Sequence, residues 1–493
     1  MTQGYRQIVK STGLVGIGQL LAILIHMVRV KALALLVGTA GMGVAGLYLS
    51  AVDVLCTVSG MGITVSGVRY IAAAEDEPAR AATIAAVRRL ALLLGILGSA
   101  VGLMLSPWLA EITFGAELEP YHATGMAVVS LAVLLRSASG GQVAVLQGLR
   151  KVGEMAAAKV LGALFAAVVG TLVVWMLGIR GIPAYLLCVT GSALLGSWLF
   201  ARRYETASTA GDRAALWRQS KKLIGTGSAV MGGALVTTLG AYLIRLSVQR
   251  SIGLSAVGIY QATWVLCSVY VGVVLEAMGA DFFPRLSSVQ GDDKASRRVI
   301  NEQIEVGVLL AFPGVLFLVV VAPSALELLY AADFRDGATL MRWQLLGVAL
   351  RAISWPLGYL VLSRAMNWIF LATQVVFNVA YLGAAWMGME RWGLEAVGAA
   401  FTGAYFVLLA IQWGIARQVI DFRLSRAVGW TIGCSMIVLV GVLIAFETAP
   451  TPWAYGFGAT VFVLYAAWAL QRLLRRMNLS LAEAWERVRG KLG

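Results

Sequence analysis

The chain has 493 residues, 59% of them hydrophobic and only 13% charged, with 39 Lys and Arg against 25 Asp and Glu and a formal net charge of +14. Soluble domains run at about 45–50% apolar and about 25% charged, so this composition excludes an ordinary soluble protein and indicates a polytopic membrane protein. The basic balance does not indicate a nucleic-acid partner, because the bases gather at the ends of apolar runs and form no polar domain.

Runs of roughly 20 apolar residues, the length that crosses a bilayer, recur along the chain at 8–37, 42–72, 83–108, 122–148, 155–177, 182–201, 223–250, 254–283, 304–322, 338–363, 368–389, 396–417, 427–446 and 453–470. These fourteen predicted spans make the fold all-α. The first is too long for a signal peptide and lacks a small-residue cleavage site, so it is expected to stay in the mature protein. Cys56, Cys188, Cys267 and Cys434 lie inside the runs without metal-ligand spacing. They read as small buried apolar residues, and no disulfide, metal site or cofactor is expected.

With the N-terminus placed in the cytoplasm, the cytoplasmic segments collect 28 Lys and Arg, among them those of "WRQSKK" and "DDKASRR", against Arg180, Arg250, Arg335, Arg342 and Arg391 outside. That asymmetry predicts cytoplasmic N- and C-termini. Six bases remain within the spans: Arg29, Lys31, Arg136, Lys159, Arg245 and Arg351. No loop is longer than about 20 residues, which leaves no room for a soluble catalytic or nucleotide-binding domain, and no Walker-type glycine loop occurs.

The chain repeats itself. "AGLYLSA" around Tyr48 matches "VGIYQAT" around Tyr260, and the same shift lays Gly60 on Gly272 and Gly67 on Gly279. "SPWLAEITFG" matches "APSALELLYA", pairing Pro107 with Pro323 and Glu111 with Glu327, and "LLRSASGG" matches "ALRAISWP", pairing Arg136 with Arg351. Spans 1–6 and 7–12 are therefore two copies. An even number of spans per copy makes the repeat parallel, with its pseudo-twofold axis along the membrane normal. The expected organisation is an N-terminal six-helix lobe (1–201), a cytoplasmic linker (202–222), a C-terminal six-helix lobe (223–418), an extra helix pair (419–471) and a cytoplasmic amphipathic tail (472–493).

A charge at the centre of a span costs roughly 2.5–3.5 kcal/mol on insertion scales, so it faces the bundle interior or water. Arg136 and Arg351 are repeat mates near mid-depth; the alternative is that each only ties helices together through an acid. In span 1, Gln19, His26 and Arg29 share one arc, while Lys31 points elsewhere and is equally able to snorkel, as is Arg245 late in span 7. Asp53, Thr57, Gly60, Thr64 and Gly67 share a face of span 2, and Ser268, Gly272, Glu276 and Gly279 a face of span 8. Asp53 and Glu276 are either counter-ions for the arginines or proton or cation carriers. Lys159 and His122 read as surface features. The bases outnumber the acids within the spans, and an uncompensated positive cavity is best explained by an anionic ligand, for which the planar fork of Arg suits phosphate.

Several stretches, "STGLVGIGQLLAILIHMVRVKALALLVGTAGMGVAGLYLS", the "SPWLAEITFG" element with its mate, and "DFFPRLSSV", resemble Wzx-type O-antigen and polysaccharide flippases. These belong to the multidrug/oligosaccharidyl-lipid/polysaccharide (MOP) exporter superfamily, and the resemblance covers about the first 420 residues. It implies two six-helix lobes in a V that opens alternately to the two sides, with a cationic central cavity lined by Arg29 and Arg245 and flanked by Asp53 and Glu276. Arg136, Arg351, His26 and Lys31 join that expected headgroup site from the residue reading. The implied substrate is an undecaprenyl-diphosphate-linked oligosaccharide, an O-antigen or exopolysaccharide repeat unit, moved from the cytoplasmic to the periplasmic leaflet of a bacterial inner membrane. Partners among other polysaccharide-assembly proteins are a further expectation. The fourteen spans depart from the twelve of many O-antigen flippases, and the extra pair is similar to that of lipid II flippases.

Three rivals remain. A lipid II-type flippase or a multidrug/cation antiporter shares the architecture, although the antiporter should have a more acidic cavity. A membrane polysaccharide polymerase or ligase would need reactive groups in a sizeable outer loop, and the outer loops are short and nearly free of His and acids, so no enzyme is expected. The C-terminal "LQRLLRRMNLSLAEAWERVRGKLG" interleaves Leu, Met and Trp with Arg, the pattern of an amphipathic helix on an anionic membrane surface.

Overall fold

The computed structural model describes residues 2–115, 120–204 and 213–476. Residues 205–212 of the linker and 477–493 of the C-terminal tail lie outside the described residues, as do the side chains of residues 1–20 and Gln19 with them. The described residues form fifteen α-helices and no strand: α1 (Thr2–Gly60), α2 (Ile63–Ala72), α3 (Glu77–Met104), α4 (Ser106–Phe114), α5 (Pro120–Gly148), α6 (Val152–Leu177), α7 (Ile182–Ala201), α8 (Arg213–Ser251), α9 (Leu254–Ser288), α10 (Asp293–Leu329), α11 (Ala338–Ser363), α12 (Asn367–Trp392), α13 (Glu395–Ile420), α14 (Arg426–Thr448) and α15 (Thr451–Arg476).

Among the described residues, twelve continuous helical stretches are long and apolar enough to cross a membrane. Two of these, Leu21–Gly60 and Val152–Tyr204, each hold two predicted spans, divided at Gly38 and at the 3-10 turn Gly178–Gly181. The protein is thus an all-α, multi-pass membrane protein, whose described residues hold the fourteen predicted spans. Gly38 breaks α1 because its backbone is left-handed (φ 62°), a conformation that costs glycine nothing. Span 2 is less continuous than its hydropathy predicts. It stops at Gly60, turns through Met61 and Gly62, and resumes as α2. The turn sits against α8, where a Cβ on Gly62 would lie 2.2 Å from the Gly227 carbonyl oxygen and one on Gly227 would lie 2.3 Å from that of Met61.

The repeat is written into the backbone. Positive φ angles occur at Gly38 and Gly253, at Arg150 and Ala365, and at Gly178 and Gly393, each pair separated by 215 residues. They mark the break between spans 1 and 2 and between 7 and 8, the turn before spans 5 and 11, and the C-cap of those same spans. Left-handed residues end helices and redirect the chain, so equal placement of three such points reproduces the same helix order in both halves.

Two compact units result, one of residues 1–259 with 329–333, the other of 260–328 with 334–493. In the first, α3 packs on α5, α5 and α6 pack on α7, α6 packs on α1, and α8 joins α1, α2 and α3. Because lipid is as apolar as Leu, helix association here depends on close packing through small residues. Gly95, Gly98 and Gly102 of α3 show this: an added Cβ would lie 2.9 Å from Ser137 Cβ, 2.5 Å from Ser59 Cβ and 2.8 Å from Ser130 Oγ. The glycines thereby let α1 and α5 close on α3. In the second unit α13 packs on α11 and α12. The C-terminal pair is joined by a 2.6 Å hydrogen bond between the Ser435 and Tyr465 hydroxyls, and Arg342 of α11 stacks its guanidinium 3.9 Å from the Phe446 ring centre of α14. Arg342, counted above with the outer segments, is buried.

Candidate functional site

The first half of α1 carries His26 and Arg29 one turn apart. The Arg29 guanidinium donates to His26 Nδ1 at 2.8 Å, so that ring nitrogen is the acceptor and the imidazole proton sits on Nε2. Arg29 Nε is buried and has no hydrogen-bond partner. Beside it lies a cavity of about 180 Å³ bounded by α1, α5, α6 and α7, which Arg29 shares with Lys159 and Ser197. Its remaining walls include Ala158, Gly162 and Ala163, small residues that leave space for the two cations. Among the described residues neither Arg29 nor Lys159 has a carboxylate within ion-pair distance. A buried guanidinium N–H without a partner and a charge without a counter-ion are both costly, and one bound anion would relieve both.

Arg136 of α5 reaches Asp53 of α1 in a hydrogen-bonded ion pair, placed by the α3 glycines that draw these two helices together. Arg136 faces a second cavity of about 210 Å³, lined also by Cys56, Gly60, Thr64, Ser137 and Gly140. Gly60 and Thr64 share this wall although the Met61–Gly62 turn separates them. Gly67, expected on the same face, instead packs on Val87, and Thr57 donates to the Asp53 carbonyl within the helix.

The other expected site residues do not join these two cavities. Arg245 is buried on α8, where it donates to the Ala241 carbonyl at 2.7 Å. Lys31 is half-buried and lines neither cavity. Arg351 is half-buried on α11, and Glu276 is exposed on α9. Among the described residues neither has an ion-pair partner. His122, read above as a surface feature, is buried, stacked on Phe114 at 3.9 Å and joined by Nδ1 to the Tyr48 hydroxyl at 3.1 Å. Its burial follows from α4, which folds Phe114 back over the start of α5. Lys159, read from the sequence as a surface feature, is exposed and also borders the Arg29 cavity, a neighbourhood that helical periodicity alone cannot show because it does not say which helix faces which.

A model of the polysaccharide biosynthesis protein family matches residues 8–290, more than half of the chain. The chain belongs to this family. The chain is 23% identical over 398 residues to the lipid III flippases of Escherichia coli (strain K12) and Shigella flexneri, covering 78% of this chain and 92% of each relative. Solved structures share the fold of this family member at low identity. The lipid II flippase MurJ in an inward closed conformation superposes with a TM-score of 0.66 at 13% identity, over 94% of this chain and 99% of that one. An inward-facing multidrug resistance MATE transporter of the MOP superfamily gives 0.67 at 14%, over 82% and 94%.

Proposed function

We propose that this family member is a flippase for an undecaprenyl-diphosphate-linked oligosaccharide, an O-antigen or exopolysaccharide repeat unit, which it carries from the cytoplasmic to the periplasmic leaflet. The observation that carries this reading is the cavity beside Arg29, a cation whose buried Nε has no hydrogen-bond partner among the described residues, with the exposed Lys159 at its edge. The diphosphate would lie against Arg29 and Lys159, with His26 fixing the guanidinium. Arg136 would be held ready by Asp53 as its counter-ion, and Lys31, Arg245, Arg351 and Glu276 would contribute as the lobes move. The lipid III and lipid II flippases that resemble the chain support a lipid-linked saccharide as cargo.

The physics favours such a carrier. A diphosphate and sugars cannot cross hydrocarbon unaided, whereas a polyprenyl tail can stay in lipid, so a polar cavity open sideways to the bilayer suffices. Rocking of the two six-helix lobes, 1–201 and 223–418, about the repeat axis would expose that cavity alternately to the two sides. In this reading the chain sits in a bacterial inner membrane with both termini cytoplasmic, as its positive-inside asymmetry supports. The test is transbilayer movement of a polyprenyl-diphosphate oligosaccharide in vesicles. Intact protein should move it, and folded Arg29→Ala and Lys159→Ala should stall. No movement by intact protein, or unimpaired movement by both variants, would overturn the reading.

A further inference from the structure

The last turns of α15 hold a feature that the flippase reading does not use. Trp468, Gln471, Arg472, Arg475 and Arg476 line an open pocket of about 400 Å³. Two of its three guanidiniums are fixed. Glu305 of α10, with its side chain only 7% exposed, accepts from Arg472 at 3.0 Å and from Arg476 at 2.8 Å, and Arg472 also donates to the Ala427 carbonyl at 2.9 Å and lies over the Trp468 ring. One carboxylate thus serves two arginines, and among the described residues the exposed Arg475 has no ion-pair partner. The excess of positive charge is held in place before any ligand arrives, which lowers the entropic cost of binding an anion.

What kind of anion follows from the helix face. At 100° per residue, Phe457, Leu464, Trp468, Gln471 and Arg475 fall within an arc of about 60°. Phe457 is 50% exposed and Leu464 66% exposed. Leu464 lies two to three turns before the three arginines, about 12–18 Å along the axis at 1.5 Å per residue, comparable with the depth of one leaflet including its headgroups. An exposed apolar stripe that runs into a basic, Trp-edged pocket suits a molecule with an acyl chain and a phosphate. A free phosphate ion would make no use of the stripe.

We propose that the end of α15 is a binding site for an anionic membrane phospholipid, its phosphate on Arg472, Arg475 and Arg476 and its acyl chain along Leu464. The site belongs to the helix pair that has no counterpart in the repeat, and it stands independently of the cargo. The test uses full-length protein, delipidated, re-equilibrated with an equal mixture of phosphatidylglycerol and phosphatidylcholine, and examined by native mass spectrometry for retained lipid. Phosphatidylglycerol should be enriched on the intact protein. Arg475→Ala, which leaves the Glu305 contacts in place, should lower the enrichment about fivefold, and Arg475→Lys should keep most of it. Arg89→Ala, at another exposed base in the middle of α3, should change nothing. An equal loss in Arg89→Ala would mean diffuse surface attraction and would overturn the proposal. So would displacement of the lipid by millimolar inorganic phosphate, which would mark the pocket as a free-anion site, or retention that does not distinguish the two lipids.

Discussion

Replacing Arg29 with Ala should weaken binding of a polyprenyl diphosphate by about 10- to 150-fold. Among the described residues only one of the five N–H groups of this guanidinium is used, in the bond to His26, and its buried Nε has no partner. A hydrogen bond between charged groups contributes about 1.5–3 kcal/mol net, and the loss of one such bond corresponds to that range in Kd. Arg29→Lys keeps the charge but loses the planar fork and the His26 contact, so an intermediate loss of roughly 5- to 10-fold is expected. Because Lys159 lines the same cavity, the double variant should lose less than the sum of the single losses, the mark of two groups holding one ligand. Titration of purified protein with a polyprenyl diphosphate, alongside the uncharged polyprenol, measures all three. Equal affinity in Arg29→Ala, or an equal loss for the uncharged polyprenol, would refute the assignment of this cavity to the headgroup.

Three further outcomes follow from packing and charge. Asp53→Asn leaves Arg136 without its carboxylate; since both side chains are partly exposed, a loss of about 1–3 kcal/mol is expected, largely restored by adding Arg136→Gln, as read by thermal unfolding in detergent. Glu305→Gln removes the nearly buried acid between Arg472 and Arg476 and should cost about 3–5 kcal/mol, seen as faster proteolysis around 421–425, the connection between α13 and α14 beside that end of α15. Gly258→Ala would place a methyl carbon 1.9 Å from the Thr39 carbonyl oxygen, forcing α9 away from α1 at a cost of about 1–3 kcal/mol or more. Gly403→Ala, where an added methyl meets open space, should leave the folded fraction after heating unchanged.

The parts of this molecule that the sequence made legible are those governed by hydropathy and by repetition. Fourteen spans could be counted because each must be apolar along its length, and the repeat could be found because Pro107 and Pro323, or Arg136 and Arg351, stand in register. The register is firmest where backbone conformation demands a particular residue, at Gly38 and Gly253 and at Gly178 and Gly393, although hydropathy gave those glycines no weight. Azimuth was the missing quantity. Periodicity places His26 and Arg29 on one arc of α1 but does not say that α6 packs there and brings Lys159, nor that the start of α5 is roofed by Phe114, which buries His122. Such facts depend on which small residues let two helices approach, and a glycine in an apolar run looks the same whether it faces lipid, as open space beside Gly403 allows, or another backbone, as Gly43 does 2.1 Å from the Leu254 carbonyl oxygen once a Cβ is added. The charges then follow the glycines. Arg136 meets Asp53 because Gly95, Gly98 and Gly102 bring α1 and α5 against α3, and Arg29 keeps an unpaired N–H because the alanines and glycine beside Lys159 leave room for a ligand in place of a side chain.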